Sequence, residues 1–261
     1  MTEPVSTPGG GEAAIRASRL EKVFHRDDRQ VVAFQDLNLV VPAGAFVSVI
    51  GPSGCGKTSL LRVVGNLEDP SSGEILVHGR PPREARLRRE AGFVFQSPTL
   101  LPWRTVMENV RLPGEVFGDS SVSDHAGAAL DAVGLAGFEH AYPRELSGGM
   151  QSRVSIARAL TFRPSLLLMD EPFGALDEIT RERMQVELLR IGQGQQVTVL
   201  FITHSLSEAA LLSDRVVVMT ARPGRIVHEV TIPFPRPRDA SLRADPAFVK
   251  LVEDLRGMLE G

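Results

Sequence analysis

Apolar and polar positions follow two different rhythms along this chain. Segments 17–24, 31–41 and 45–50 are rich in Val, Leu and Phe and are punctuated by Pro42, Ala43 and Gly44, so they are expected to be strands. From 57 to 67 the spacing turns helical, and short apolar runs that predict strands recur at 74–78, 92–95, 166–169, 198–203 and 215–219. Helical patterns alternate with the later runs, which argues for a largely parallel sheet. Between 107 and 164 no strong strand is seen, but 123–134 and 149–162 carry apolar residues at helical spacing, so a helical insertion is expected to interrupt the sheet. Residues 222–238 are interrupted by prolines and read as extended, and 246–259 return to a helical pattern expected to pack on the core. The Gly- and Pro-rich segment 1–14 reads as a flexible tail, and neither an internal repeat nor room for a large further C-terminal domain is seen.

Composition narrows the function classes. With 43% hydrophobic and 23% charged residues in 261, the chain is close to globular averages, which sets aside disorder, collagen and coiled coil as whole-chain descriptions. Its 29 basic and 32 acidic residues give a net charge of −3, without the basic excess of a dedicated nucleic-acid binder, so no nucleic-acid partner is expected. The arginine-rich segment 80–90 reads as a solvated helix face, with anionic lipid or nucleic acid as the alternative contact. A single cysteine, Cys55, rules out an internal disulfide framework and suits a reducing compartment. The first residues lack the pattern of an export signal, and the longest apolar runs, such as 166–169 and 197–202, fall far short of the roughly 18 residues of a membrane span. Any membrane role is expected to come through a partner.

The strongest chemical signal is GPSGCGKT, formed by Gly51, Pro52, Ser53, Gly54, Cys55, Gly56, Lys57 and Thr58, directly after a predicted strand and before a predicted helix that continues with Ser59. Glycines let the backbone curl so that its N–H groups and the helix N-terminus face a polyphosphate. Lys57 would neutralise the outer phosphates, and the Thr58 hydroxyl would ligate Mg²⁺. The run LLLMD places Asp170 at the tip of a buried strand, where it would complete the metal site. The adjacent Glu171 is expected to point elsewhere, because side chains alternate along an extended segment, leaving it to polarise water. A second anion-binding helix start is read at LSGGMQ, 146–151, where Ser147 would cap and Gly148 and Gly149 would expose backbone N–H groups.

In this order the motifs resemble one family, the nucleotide-binding subunits of ABC transporters. Beyond the phosphate loop, the LSGGMQ signature and the Asp170-Glu171 pair, the resemblance includes Gln96 after a strand, the segment Ala175-Leu176-Asp177 and His204 at the end of another strand. It implies an α/β fold: a RecA-like P-loop NTPase core with an N-terminal antiparallel β subdomain and an inserted α-helical signature subdomain, spanning 15–261. It further implies a homodimer that sandwiches ATP and Mg²⁺ head to tail, each nucleotide lying between one chain's phosphate loop and the other's Ser147, Gly148, Gly149 and Gln151. On the same resemblance Glu171 is the general base, His204 contacts the γ-phosphate, Gln96 senses metal and attacking water, and Asp177 orders the dimer interface. The aromatic residue that stacks on adenine matches Phe24, with a strand-core role as the alternative. Ser205 and Ser152 stand where the family often has Asp and Gln. Cys55 reads as a small tolerated residue of the loop, with a redox switch as the rival, and ATP is expected to protect it from thiol reagents.

Longer stretches, LPWRTV at 101–106, MDEPFGALD at 169–177 and LSDRVVVMTARPGRI at 212–226, resemble the nitrate, sulfonate and taurine importer group. That likeness implies transmembrane permease subunits, indirectly a substrate-binding protein, and a place on the cytoplasmic face of the cell membrane. Leu100, Leu101 and Trp103 would lie near the permease, or else pack internally. An exporter subunit, a non-transport ABC ATPase and a nucleotide-dependent regulatory module without turnover are the other readings.

Overall fold

The computed structural model describes residues 12–26, 29–195 and 197–260, so residues 1–11 of the expected tail lie outside it. The elements run β1 (Ala13–Arg26), β2 (Arg29–Pro42), β3 (Phe46–Ile50), α1 (Lys57–Val64), β4 (Ser72–Val77), α2 (Pro82–Leu87) and β5 (Ala91–Val94). Four helices follow, α3 (Val106–Phe117), α4 (Ser120–Asp124), α5 (Ala126–Ala132) and α6 (Gly148–Leu160), with no strand among them. Then come β6 (Leu166–Asp170), α7 (Glu178–Gln195), β7 (Thr198–Ile202), α8 (Leu206–Leu212), β8 (Arg215–Met219), β9 (Ile226–Thr231) and α9 (Pro246–Glu260).

Two sheets result, a three-stranded one ordered β2-β1-β4 and a six-stranded one ordered β5-β6-β7-β3-β8-β9. The small sheet is antiparallel, and the large one is parallel except for β9. β3, β6 and β7 are buried on both faces, which explains their unbroken apolar runs. Successive residues therefore serve two cores. Leu167, Met169, Val199 and Phe201 face the helical insertion, α8 and α9, whereas Leu166, Leu168, Leu200 and Ile202 face α1 and the small sheet.

The departures from the sequence reading have local causes. The segment expected to be one helix at 123–134 is two, α4 and α5. α1 stops at Val64 rather than continuing to 67, because Asn66 turns left-handed with φ of 53° and the Leu67 N–H closes back on the Arg62 carbonyl; Phe93 fills the space where a side chain at Gly65 would stand. Strand β1 begins at Ala13, and the buried Ala14 belongs to the fold rather than to a tail. α3 had no signal because Pro113 breaks its pattern, yet it is set by a capping box in which Thr105 Oγ1 accepts the Glu108 N–H and Glu108 accepts the Thr105 N–H. Within 222–238, residues 226–231 form the antiparallel edge strand β9. The arginine-rich 80–90 segment is a short helix with Ala85 buried and its arginines mostly exposed.

Candidate functional site

β3 ends at Ile50 and the chain curls into the phosphate loop, where Gly54 and Gly56 have φ of 78° and 91°. A side chain at Gly56 would meet the Ala33 carbonyl at 2.7 Å, so both its backbone angle and its neighbours require glycine. Gly56 is also the N-cap of α1 and supplies no side-chain hydrogen bond, so the first N–H groups of that helix are available to an anion. The Lys57 ammonium crosses the loop and donates to the carbonyls of Gly51 at 2.8 Å and Pro52 at 3.1 Å. A cleft of about 570 Å³ opens above, lined by Phe24, Val31, Ala33, Ser53, Gly54, Gly56, Lys57, Thr58, Ser59, Gln96, Glu171 and Arg222.

Three strand ends bring acid, amide and imidazole together. Gln96, just past β5, donates to Glu171 Oε2 at 3.2 Å, and His204 Nδ1, just past β7, lies 3.4 Å from the same oxygen. Glu171 does diverge from Asp170, but not by strand alternation: β6 ends at Asp170, and Glu171 takes a left-handed backbone with φ of 44°. The Glu171 N–H is anchored to the Ile202 carbonyl at 2.9 Å, and its own carbonyl accepts from Gly174. Asp170 is buried beside Thr58. Burial pushes its carboxyl above the usual carboxylate range; Glu171 adds to the rise, while a Thr58 hydrogen bond and the charges of Arg62 and Lys57 oppose it.

These residues fit Mg²⁺. Such an ion takes one or two carboxylates and completes its shell with water and substrate phosphates. Asp170 and Thr58 would supply two oxygens. Gln96 donates its amide nitrogen to Glu171, so its amide oxygen is the atom that would reach a metal.

The ABC transporter family model matches residues 34–174, which include the phosphate loop, Gln96, the LSGGMQ segment and Glu171. The chain belongs to the ABC transporter family. It is accordingly an ATP-binding subunit of the ATPase type coupled to transport. An uncharacterized ABC transporter ATP-binding protein of Methanocaldococcus jannaschii is 48% identical over 227 residues, covering 86% of this chain and 84% of its own length. The nitrate import ATP-binding protein NrtD of Synechocystis is 43% identical over 255 residues, with 95% of each chain covered. The aliphatic sulfonates import ATP-binding protein SsuB of Bacillus cereus is 43% identical over 219 residues, covering 83% of this chain and 86% of its own. A dimeric ATP-binding cassette solved in a post-hydrolysis state with ADP and Pi superposes with a TM-score of 0.77 at 30% identity, covering 85% of this chain and 100% of that one.

Not every expected site residue of this ABC ATPase lines the cleft of its own chain. Ser147 caps α6 by accepting the Met150 N–H, and Gly148 is exposed, but neither lines that cleft, nor do Gly149, Gln151 and Asp177. Gly149 packs on Ala175 and Leu176, and the Gln151 amide nitrogen donates to the carbonyls of Pro143 and Leu146, bracing the signature turn. Asp177 caps α7 through the Thr180 N–H, the bond that chiefly holds its carboxyl below the usual range.

Cys55 requires a correction. Its thiol is fully buried beneath the loop, against Gly51 and 3.7 Å from the Lys57 nitrogen, so it packs in the core instead of facing the cleft. Gly51 and Pro52 act as loop frame and as acceptors for Lys57 rather than as cleft lining. Phe24 is not a strand-core residue: it is 37% exposed at the mouth of the cleft, with Lys22 Nζ 4.9 Å from its ring centre. Sequence reasoning missed Arg222, whose guanidinium packs over Gly54 and lines the cleft. The Pro-Gly turn that follows it was the available signal, since Gly224 sits so close to the loop that a side chain there would meet the Cys55 carbonyl at 2.0 Å. Ser152 and Ser205 are both employed: one hydroxyl donates to Gly148 within α6, the other caps α8. Among the described residues no helix is long and apolar enough to cross a membrane.

Proposed function

We propose that this chain hydrolyses Mg-ATP within a head-to-tail homodimer and so drives uptake of a small anion, such as nitrate, a sulfonate or taurine, through a separate permease. The observation that carries the reading is the convergence of Gln96 and His204 on Glu171 Oε2 at the edge of the cleft that holds Lys57 and Thr58. Backbone N–H groups of the loop and the Lys57 ammonium bind the phosphates, and Phe24 stacks on the adenine. Glu171 takes a proton from the attacking water, Gln96 orients that carboxylate and the water, and His204 contacts the γ-phosphate. Thr58, Asp170 and Gln96 would hold Mg²⁺, whose chemistry there would be to neutralise phosphate charge.

The signature residues Ser147, Gly148, Gly149 and Gln151 lie outside their own chain's cleft, which supports their serving the nucleotide of a second copy, with Asp177 at the interface. One γ-phosphate drawn to two helix N-termini in different chains makes ATP the link between them, and hydrolysis removes it. The helical insertion at 107–164 carries this signature, and 222–260 is a C-terminal extension of a cassette that begins with β1 at Ala13. Leu100 packs against the core while Trp103, held out at 70% exposure, is the natural permease contact. The chain would thus reside on the cytoplasmic face of the membrane by way of its permease, with a binding protein selecting the cargo. The relatives named for nitrate and sulfonate import support the substrate class.

The test is ATP hydrolysis and size by light scattering for wild type and Glu171→Gln, with and without Mg-ATP. Turnover by the wild type, with an inactive variant that becomes an ATP-dependent dimer, is expected. Normal hydrolysis by the variant would remove Glu171 as the base. Absence of hydrolysis in both, with ATP still dimerising the wild type, would make the chain a switch module.

A further inference from the structure

Thr203 and Ser205 flank His204, and both belong to a polar network that ends in the C-terminal extension. The Thr203 hydroxyl donates to Glu208 Oε2 at 2.6 Å and accepts the Ser205 N–H at 3.0 Å, while Ser205 Oγ accepts the Glu208 N–H at 3.3 Å. Glu208 Oε1 accepts from the Gln185 amide nitrogen at 3.1 Å, and Arg181 Nε stands 3.8 Å from the same oxygen. The Gln185 amide oxygen accepts from Arg243, whose other terminal nitrogen pairs with Glu182. Gln185 and Glu208 are 1% and 6% exposed, so their polar atoms depend on these partners rather than on solvent.

We propose that Arg243 is a positioning residue for hydrolysis, setting the direction of the Gln185 amide and, through Glu208 and Thr203, the turn that holds His204 against Glu171. The inference rests on the reading of His204 as part of the hydrolytic site. A guanidinium has donors only, so it takes the amide oxygen of Gln185 and leaves the nitrogen to meet the Glu208 carboxylate. Without it the amide is free to turn, which sets two acceptor oxygens against each other in a buried place where an unmatched polar atom is costly. Glu208 then shifts its hold on Thr203, the residue before His204, whose hydroxyl also accepts the Ser205 N–H just after it. The His204 side chain is 71% exposed, so its position against Glu171 follows the backbone of that turn rather than its own packing.

The experiment compares full-length Arg243→Met, which keeps stem and packing, with Arg243→Lys, which keeps a donor for Gln185, and Glu182→Ala, which leaves the relay intact. Each is measured for ATP turnover and for the ring resonances of labelled His204, assigned by His204→Ala. Arg243→Met is expected to lower kcat roughly 3- to 10-fold, with KM for ATP within about twofold, and to move the His204 resonance. Arg243→Lys should recover much of both, and Glu182→Ala should leave both near wild type. An unchanged His204 resonance and kcat in Arg243→Met, with His204→Ala inactive, overturns this inference and leaves the hydrolytic reading intact. A moved resonance with His204→Ala fully active overturns the role of His204 in hydrolysis while the positioning relay stands.

Discussion

Gln96 and Glu171, 75 residues apart, meet at a single hydrogen bond of 3.2 Å from the Gln96 amide nitrogen to Oε2 of Glu171. The bond exists because β5 and β6 are parallel neighbours whose C-terminal ends lie side by side, with β7 and His204 next in the sheet. The carboxylate oxygen that the proposed mechanism needs for a proton is therefore oriented from two sides by groups on adjacent strand ends.

Glu171 holds that position through a backbone angle that side chains rarely adopt, φ 44°. Truncation to Gly and to Ala both abolish hydrolysis on this account, but only Ala keeps the strain. Glu171→Gly should be the more stable of the two by roughly 0.5–1 kcal/mol, after the entropic cost of glycine is subtracted. Urea unfolding of the nucleotide-free variants measures this; an Ala variant at least as stable as the Gly variant would show that the angle carries no strain.

Asp170 has the opposite problem, a buried carboxyl pushed up chiefly by desolvation. A folded-state pKa above the unfolded value means that the folded chain binds more protons in the interval between them. This group therefore costs stability above its folded pKa, and the cost disappears as pH falls through that value to the unfolded one. Asp170→Asn should raise the melting temperature of the nucleotide-free chain at pH 8, with the advantage shrinking towards pH 4. The same variant should lose the extra stabilisation that Mg²⁺ adds to ATP. Thermal scans with and without Mg-ATP check both halves.

Cys55 should react slowly with a disulfide reagent such as Ellman's, more than about a hundredfold slower than after unfolding, because its thiol is reached only by local opening of the loop. ATP should slow the reaction further by holding the loop closed. Rapid, nucleotide-independent labelling would place the thiol at the surface.

Arg222 adds a positive charge to the cleft at Gly54. Arg222→Ala should raise KM for ATP about 3- to 10-fold with kcat little changed, the signature of a group that binds substrate and transition state alike. Gly224→Ala should do more, because its new methyl group collides with the Cys55 carbonyl and displaces the turn. Steady-state kinetics of both variants decide it.

Trp103 is held out by a segment pinned to α3, since the buried Asn109 bonds to Leu101, Arg104 and Thr105. Trp103→Ala should leave turnover and melting of the isolated chain within error, yet lose co-purification with the permease. Unimpaired co-purification would remove Trp103 from that interface.

The phosphate loop, the buried strands and the Ser147 cap were determined by local sequence, because each depends on what a few adjacent residues permit: glycine at positive φ, unbroken apolar runs, a hydroxyl before a helix. α3 was hidden because Pro113 disrupts the very pattern by which a helix is read, while its capping box compensates at the other end. The direction of the Cys55 thiol, the exposure of Phe24 and the arrival of Arg222 over Gly54 were decided only in three dimensions. So were the meeting of Gln96, Glu171 and His204 and the relay from Arg243. Each of these depends on which strands become neighbours and which face an element turns to the core, and that is settled by burying distant apolar surfaces together rather than by any short stretch of chain.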